Sequence, residues 1–294
     1  MLGEENPTTT ATANISRRER LQGFLRLTRP GNAIAAAAFT GIGAFVGGAL
    51  LAHPIDATAA MAATVLATGA GNAINDYFDR EIDRINASER PIPSGLVTPR
   101  EALAFSAALF LGAIAVALSL PVVALAIALF NLLALLAYTE FFKRLPGVGN
   151  ALVAYLSGST FLFGGAAVGA LGVAVVTLFV LAALATFARE LIKDVEDLKG
   201  DREEGLRTLP IVAGERTSLA LALIVLALAV LASPLPYLQG ALGPTYLLAV
   251  LPADALLLYG AYEGISDPSR GQAYLKAGMF LAAGAFVLGR LAVL

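Results

Sequence analysis

This chain consists largely of long apolar runs. They are separated by short segments that are polar or contain glycine or proline. A helix of about 20 apolar residues spans the hydrocarbon layer of a bilayer, which is ~30 Å thick. The pattern predicts nine such helices, at roughly 31–51, 57–79, 101–119, 121–141, 148–168, 171–193, 217–233, 241–262 and 273–293. We therefore expect an all-α, polytopic membrane protein.

The composition agrees with this pattern. Of 294 residues, 57% are hydrophobic and only 14% are charged, whereas a soluble domain carries about a quarter charged residues. Residues 1–20 are polar, lack the apolar centre of a cleavable signal peptide, and are predicted to form a disordered tail before a single transmembrane domain, 21–294. The chain has no cysteine, which excludes thiolate metal sites and cysteine catalysis.

The basic residues predict the orientation. Nineteen of the 20 Lys and Arg residues lie before the first predicted span or near alternate connections, and only Arg290 falls on the other side. Because positive charge stays on the cytoplasmic side, we expect a multi-pass protein of the cell membrane with a cytoplasmic N-terminus. The acidic segments described next lie on that same side.

Aspartates occur at matched spacing where two predicted spans end, 118 residues apart. With the polar residue one turn before each group of aspartates, the sets are Asn72, Asp76, Asp79 and Asp83, and Glu190, Asp194, Asp197 and Asp201. Steps of three and four residues bring each set to one helix face. Clustered carboxylates repel each other unless a cation lies between them, which favours a divalent metal site. The alternative is that they are solvated helix caps and ion pairs.

The sequence around the two sets is also similar. Each has a helix, an acidic helix end, a polar loop with arginine and proline, and a further helix. Thr98 and Thr217 are expected to cap those further helices. We therefore predict two related halves, about 57–120 and 171–235.

The acidic sets predict a phosphate chemistry. Mg²⁺ prefers carboxylate oxygens and is often completed by substrate phosphates. Two such helix ends across a cleft would hold Mg²⁺ against a diphosphate and stabilise the charge on that group as it departs. Nearby basic side chains could bind the same phosphate oxygens. These are Arg80, Arg84, Lys193 and Arg207.

Other polar residues are weaker candidates. Asn32 follows Arg29 at the start of the first span and either contacts substrate or caps the helix. Tyr138, Lys143 and Arg144 form a third polar cluster, in which Lys143 either binds phosphate or anchors the chain at the interface.

Two polar residues lie inside apolar spans. Asn131 and Asp254 are each isolated in sequence, so we expect them to form hydrogen bonds between helices.

Three segments resemble the motifs of UbiA-type intramembrane prenyltransferases. They are Asn75-Asp76-Tyr77-Phe78-Asp79-Arg80-Glu81-Ile82-Asp83, Arg90-Pro91-Ile92-Pro93-Ser94-Gly95 and Asp197-Leu198-Lys199-Gly200-Asp201. The resemblance covers nearly all of the chain after about residue 20. It implies a bundle of nine helices around a central cavity open to lipid, and Mg²⁺-dependent transfer of an isoprenyl chain from its diphosphate to an acceptor.

The resemblance also implies residue roles. The catalytic residues are Asp76, Asp79, Asp83, Asp197 and Asp201, and the metal ligands are these five with Asp194. With the basic and amide candidates, the substrate-binding residues are Arg29, Asn32, Asn72, Asn75, Arg80, Arg84, Tyr138, Lys143, Arg144, Lys193 and Arg207.

Within the family, the chain is most similar to archaeal members that act on geranylgeranylglyceryl phosphate in ether-lipid synthesis. This implies a prenyl diphosphate donor, a lipid-soluble acceptor and contact with membrane lipid, with no nucleic acid. The acceptor's phosphate would need a second basic site, for which Lys143, Arg144 and Arg29 are candidates. One alternative is an aromatic acceptor, 4-hydroxybenzoate or a naphthoate. A transporter is the alternative from another class, but the charges gather on one membrane side rather than at its midplane.

Overall fold

The computed structural model describes residues 16–142, 145–203 and 205–293. These residues form fourteen α-helices and no strand. The helices are α1 (Arg17–Thr28), α2 (Pro30–Gly47), α3 (Pro54–Phe78), α4 (Arg80–Asn86), α5 (Pro99–Ala117), α6 (Val122–Glu140), α7 (Val148–Ala167), α8 (Val173–Glu196), α9 (Leu198–Glu203), α10 (Leu209–Ala213), α11 (Glu215–Ala232), α12 (Leu235–Leu238), α13 (Pro244–Glu263) and α14 (Pro268–Leu291).

Nine helices in the described ranges have 18 or more residues, and they correspond to the nine predicted spans. They are α2, α3, α5, α6, α7, α8, α11, α13 and α14. Eight of them are long and apolar enough to cross a membrane by length and composition. The ninth, α7, is less apolar because it contains Asn150 and several Gly and Ser residues, and it packs against α2, α6 and α8. The all-α membrane fold is confirmed.

Helix starts follow local sequence. Thr98 caps α5 in a capping box with Glu101, as expected. The expected cap at Thr217 is wrong, because α11 already begins at Glu215. Gly214 caps it instead with φ +89°, a conformation that side-chain-bearing residues rarely adopt, so the helix starts three residues earlier than a cap at Thr217 would allow.

The N-terminal boundary also differs from the expected one. Residues 1–15 lie outside the described residues, whereas residues 17–20 form the first turn of α1 rather than part of a tail. Ser16 caps α1 in a capping box with Glu19. Arg29 then joins α1 to α2 with φ +46°, which is strained for a residue with a side chain. This bend begins the first span.

Each acidic set spans two helices rather than one. The long helices α3 and α8 end just before Asp79 and Asp197, and the short helices α4 and α9 follow immediately. The two junctions have the same backbone conformation, with φ −83° and ψ 0° at Asp79 and φ −82° and ψ −1° at Asp197. This local match supports the predicted relation of two halves, which stays a prediction.

Small residues let the central helices approach closely. A Cβ atom on Gly164 of α7 would lie 1.8 Å from the Thr40 carbonyl oxygen of α2. One on Gly43 of α2 would lie 2.1 Å from the Phe161 carbonyl oxygen of α7. Since backbone cannot move as a side chain can, glycine is required at both positions.

Gly164→Ala should therefore force α2 and α7 apart and lower the thermal midpoint in detergent by about 5 °C or more. Gly284→Ala on α14 is the matched control, because nothing lies within 4 Å of the added methyl group. Equal midpoints for the two variants in a thermal melt would contradict this packing.

Candidate active-site cavity

A cavity of about 650 Å³ lies among α2, α3, α5, α6, α7 and α8. Much of its wall is apolar, but one end is lined by charged side chains, amides and one phenol. These are Arg29, Asn32, Asn72, Asn75, Tyr138, Glu190 and Lys193. All except Glu190, which was predicted only as a member of the second acidic set, were expected to bind substrate. The structure brings them together at helix ends on one side of the bundle.

Both acidic sets approach this polar end. Tyr138 on α6 lies within electrostatic range of Asp79 from the first set and of Asp194 from the second. Asn75 and Lys193, which line the cavity, each bind an aspartate of their own helix end. The two distant motifs therefore border one shared pocket.

Arginines neutralise the first acidic set. Asp76 is 3% exposed and Asp83 is 5% exposed. Arg29 Nη2 lies 2.5 Å from Asp76 Oδ1, and Arg90 Nη1 lies 2.6 Å from Asp83 Oδ2 and 3.6 Å from Asp76 Oδ1. A buried carboxylate without a cation is costly, so these guanidinium groups permit the burial.

Arg90 stays charged in this setting. Burial alone would lower the pKa of its guanidinium, but the carboxylates of Asp83, Asp76 and Asp79 together raise that pKa above its ordinary value. The loop that carries Arg90 is also fixed to α1, because Arg26 Nη2 donates to the Glu89 carbonyl oxygen at 2.7 Å.

Amides also fix the first set. Asn75 Nδ2 donates to Asp79 Oδ2 at 3.0 Å. Asn72 Nδ2 donates to the Thr28 carbonyl oxygen at 2.9 Å, which ties α3 to the end of α1 beside Arg29. The cavity wall is therefore held by contacts between its own elements.

The second set has one cation partner and one amide partner. Lys193 Nζ lies 2.5 Å from Asp197 Oδ2. Asn150 Nδ2, at the start of α7, donates to Asp194 Oδ2 at 2.8 Å. At this end of the cavity, Arg29 and Lys193 line the wall, and no aspartate of either set is among the described lining residues.

Three of the other predicted phosphate-binding residues, Arg80, Arg84 and Arg207, are not among the described residues that line this cavity. Arg80 donates to the Tyr77 carbonyl oxygen and lies over the Tyr77 ring, with 4.7 Å to its centroid. Arg84 pairs with Glu81 at the surface. Arg207 is absent from the described lining residues, and Lys143 and Arg144 lie outside the described residues.

Three residues at the site were not assigned from the sequence. Arg90 pairs across a loop, and Asn150 pairs between α7 and α8, so neither contact leaves a periodic signal. Glu190 did have a periodic signal and was predicted as the first position of the second acidic set, one helical turn before Asp194, but no role was assigned to it.

The intramembrane polar residues had mixed outcomes. Asp254 accepts a hydrogen bond from Ser233 at 2.6 Å, so the expected contact between segments is confirmed. The expected contact of Asn131 is not made by its buried Oδ1, which has no hydrogen-bond partner among the described residues. Asn131 instead lines the cavity, deeper in the bundle than Tyr138.

The donor types at the site fit a hard divalent cation. The two acidic sets offer carboxylate oxygens, and Asn72 and Asn75 offer amide oxygens beside them, which suits Mg²⁺. Within the described ranges, no three acidic or histidine side chains are grouped closely enough to hold a metal ion. Basic and amide side chains are the groups that the aspartates contact instead.

Comparisons with known proteins agree with this geometry. A model of the UbiA prenyltransferase family matches residues 36–284. The chain is 62% identical over 275 residues to a digeranylgeranylglyceryl phosphate synthase from Natronomonas pharaonis, a match that covers 94% of this chain and 99% of that protein.

Solved structures share the fold. One, from work on digeranylgeranylglyceryl phosphate synthase in membranes, has a TM-score of 0.83 and 35% identity, and the match covers 93% of this chain and 99% of that one. A UbiA homologue from Archaeoglobus fulgidus, bound to GPP and Mg²⁺, has a TM-score of 0.67 and 19% identity, with 92% of this chain and 99% of that one covered.

The ion pair of Arg29 with Asp76 should contribute strongly to stability. Arg29→Gln removes the nearest cation from a buried carboxylate, which should cost about 3–5 kcal/mol and lower the thermal midpoint by roughly 10 °C. Arg270→Gln is the control, because Arg270 is 71% exposed and lies 3.7 Å from Glu263. An Arg29→Gln midpoint equal to that of the control would show that Asp76 does not depend on this cation.

Proposed function

Because this chain belongs to the UbiA prenyltransferase family, we propose that it transfers a geranylgeranyl group from its diphosphate to the free hydroxyl of geranylgeranylglyceryl phosphate. The choice of acceptor is supported by the likeness to the Natronomonas pharaonis protein, which extends over nearly the full length of both chains. The observation that carries the proposal is the single cavity whose polar end is bordered by both acidic sets.

The diphosphate of the donor binds at the polar end of the cavity. Arg29 and Lys193 face the cavity from opposite halves of the chain, and each can donate charge-assisted hydrogen bonds to phosphate oxygens. Asn72 and Asn75 orient the same group. The prenyl chain extends along the apolar wall, where it stays out of water.

The six aspartates would hold Mg²⁺ beside this diphosphate. They are Asp76, Asp79, Asp83, Asp194, Asp197 and Asp201. When bound, Mg²⁺ supplies positive charge that stabilises the departing diphosphate. The Archaeoglobus fulgidus homologue with GPP and Mg²⁺ supports this choice of cofactor. Arg29 and Lys193 then exchange a carboxylate partner for a phosphate partner, so no buried charge is left without an opposite charge.

The apolar cavity protects the reacting carbon. When the allylic C–O bond breaks, the diphosphate leaves with the electron pair and positive charge spreads over the allyl group. The ring of Tyr138 lines the cavity at its polar end and can attract that charge with its face. Water would capture the cation, so the surrounding apolar side chains direct it to the acceptor hydroxyl.

The site faces the cytoplasm of a cell-membrane protein in this proposal. The basic residues concentrate on the side of the bundle where the cavity is polar, which supports that orientation. The transporter alternative is set aside, since the family is one of prenyltransferases.

The purified protein with Mg²⁺ and geranylgeranyl diphosphate should form the double ether with geranylgeranylglyceryl phosphate and should leave 4-hydroxybenzoate unmodified. Product analysis by mass spectrometry measures both. Prenylation of 4-hydroxybenzoate alone would favour the aromatic alternative and overturn the proposed acceptor.

Asp76→Asn and Asp197→Asn are the matched variants for that assay. Each should lower kcat/KM by about 10³-fold or more, since transition-state charge would lose stabilisation worth roughly 4 kcal/mol. Glu263→Gln, a carboxylate outside the cavity, should keep the wild-type rate. Full activity of Asp76→Asn under limiting Mg²⁺ would refute the metal role.

A further inference from the structure

Glu190 is the acidic side chain that lines the cavity wall. Among the described lining residues it is the only carboxylate. Asp76, Asp79 and Asp197 instead contact the lining residues Arg29, Asn75 and Lys193. Its side chain is 17% exposed. A carboxylate on the wall of a reaction cavity can accept a proton from a bound substrate.

The matched spacing of the two halves gives Glu190 a defined depth. The offset of 118 residues that relates Asp76 to Asp194 also relates Asn72 to Glu190. Both residues lie one helical turn, about 6 Å, before the first aspartate of their set, towards the apolar part of the cavity. The diphosphate would bind beside the aspartates. The reacting carbon and the acceptor hydroxyl would then meet one helical turn deeper in the cavity, beside Glu190.

The two counterparts differ in chemistry. Asn72 is a neutral amide that donates to the Thr28 carbonyl oxygen. Glu190 is paired with Arg189 Nη1 at 2.6 Å, and Arg189 Nη2 also donates to Gln272 Oε1 at 3.2 Å. The second contact of the Arg189 guanidinium, to Gln272, fixes the Arg189–Glu190 pair against α14.

We propose that Glu190 is the general base that removes the proton of the acceptor hydroxyl. This inference rests on the proposed function. As the hydroxyl oxygen forms its bond to the allylic carbon, the O–H bond breaks and its proton passes to a carboxylate oxygen of Glu190. The electron pair of the broken C–O bond leaves with the diphosphate, so charge and atoms balance. Asn72, its counterpart, holds α1 in place and takes no proton.

Glu190→Gln tests the assignment, because glutamine keeps the shape and can still accept a hydrogen bond from Arg189. We expect kcat to fall by about 10²–10⁴-fold with geranylgeranyl diphosphate and geranylgeranylglyceryl phosphate, while both KM values stay within about threefold of wild type. The pH–rate profile should lose one ionisation on its acid side. Glu190→Asp, which keeps a carboxylate, should recover at least about tenfold of the lost rate.

Glu196→Gln is the matched control on the same helix. Glu196 accepts hydrogen bonds from Ser269 and Gln272 and does not line the cavity, so its variant should keep the wild-type kcat and pH profile. Binding of Mn²⁺ in the presence of inorganic pyrophosphate, followed by electron paramagnetic resonance, should be equal in wild type, Glu190→Gln and Glu196→Gln.

Two results would overturn the assignment. A wild-type kcat for Glu190→Gln would show that another group, such as the departing diphosphate, takes the proton. Weaker Mn²⁺ binding in Glu190→Gln would make Glu190 a metal ligand instead. Failure of the wild type to prenylate the glyceryl phosphate acceptor would overturn the proposed function itself. That result concerns the wild type, so it is distinguishable from the two results for the Glu190→Gln variant.

Discussion

Carboxylates buried at the ends of membrane helices need positive charge, and the site depends on how the chain supplies it. Asp76 is enclosed by the bundle and paired with Arg29, while Asp197 is paired with Lys193 across one helical turn. Because desolvated charge is costly, Arg29 cannot leave the buried Asp76 unless another cation replaces it. Asp197 and Lys193 are each 44% exposed, so their pair can separate at a smaller cost. A metal-bound diphosphate carries both signs of charge. Its phosphate oxygens can pair with Arg29 and Lys193 while its metal pairs with the aspartates, so no charge is left unpaired.

The rest of the fold presents those pairs to one cavity. Arg29 occupies a strained bend between α1 and α2, and Asn72 holds that bend against α3. Gly43 and Gly164 bring α2 and α7 into backbone contact, which closes one side of the bundle. The junctions after α3 and α8 have matching backbone conformations, and both acidic sets lie near the polar end of the cavity.

Much of this could be predicted from the sequence because the bilayer simplifies the problem. Hydrocarbon thickness fixes the length of an apolar run, so nine spans followed from the pattern alone. Helical spacing identified the aspartates, and charge identified Arg29 and Lys193. Long-range pairs were missed, since the contact of Arg90 with Asp83 depends on how a loop folds back. The role of Glu190 as a wall residue depended on the rotation of α8, which spacing does not fix.

The central claim is that both halves of the chain bind one diphosphate. An experimental structure with Mg²⁺ and a non-ionisable thio analogue of geranylgeranyl diphosphate tests it most directly. Density for the diphosphate should lie between the ends of α3 and α8, in contact with both Arg29 and Lys193. A diphosphate held by one acidic set alone, or bound outside this cavity, would contradict the account.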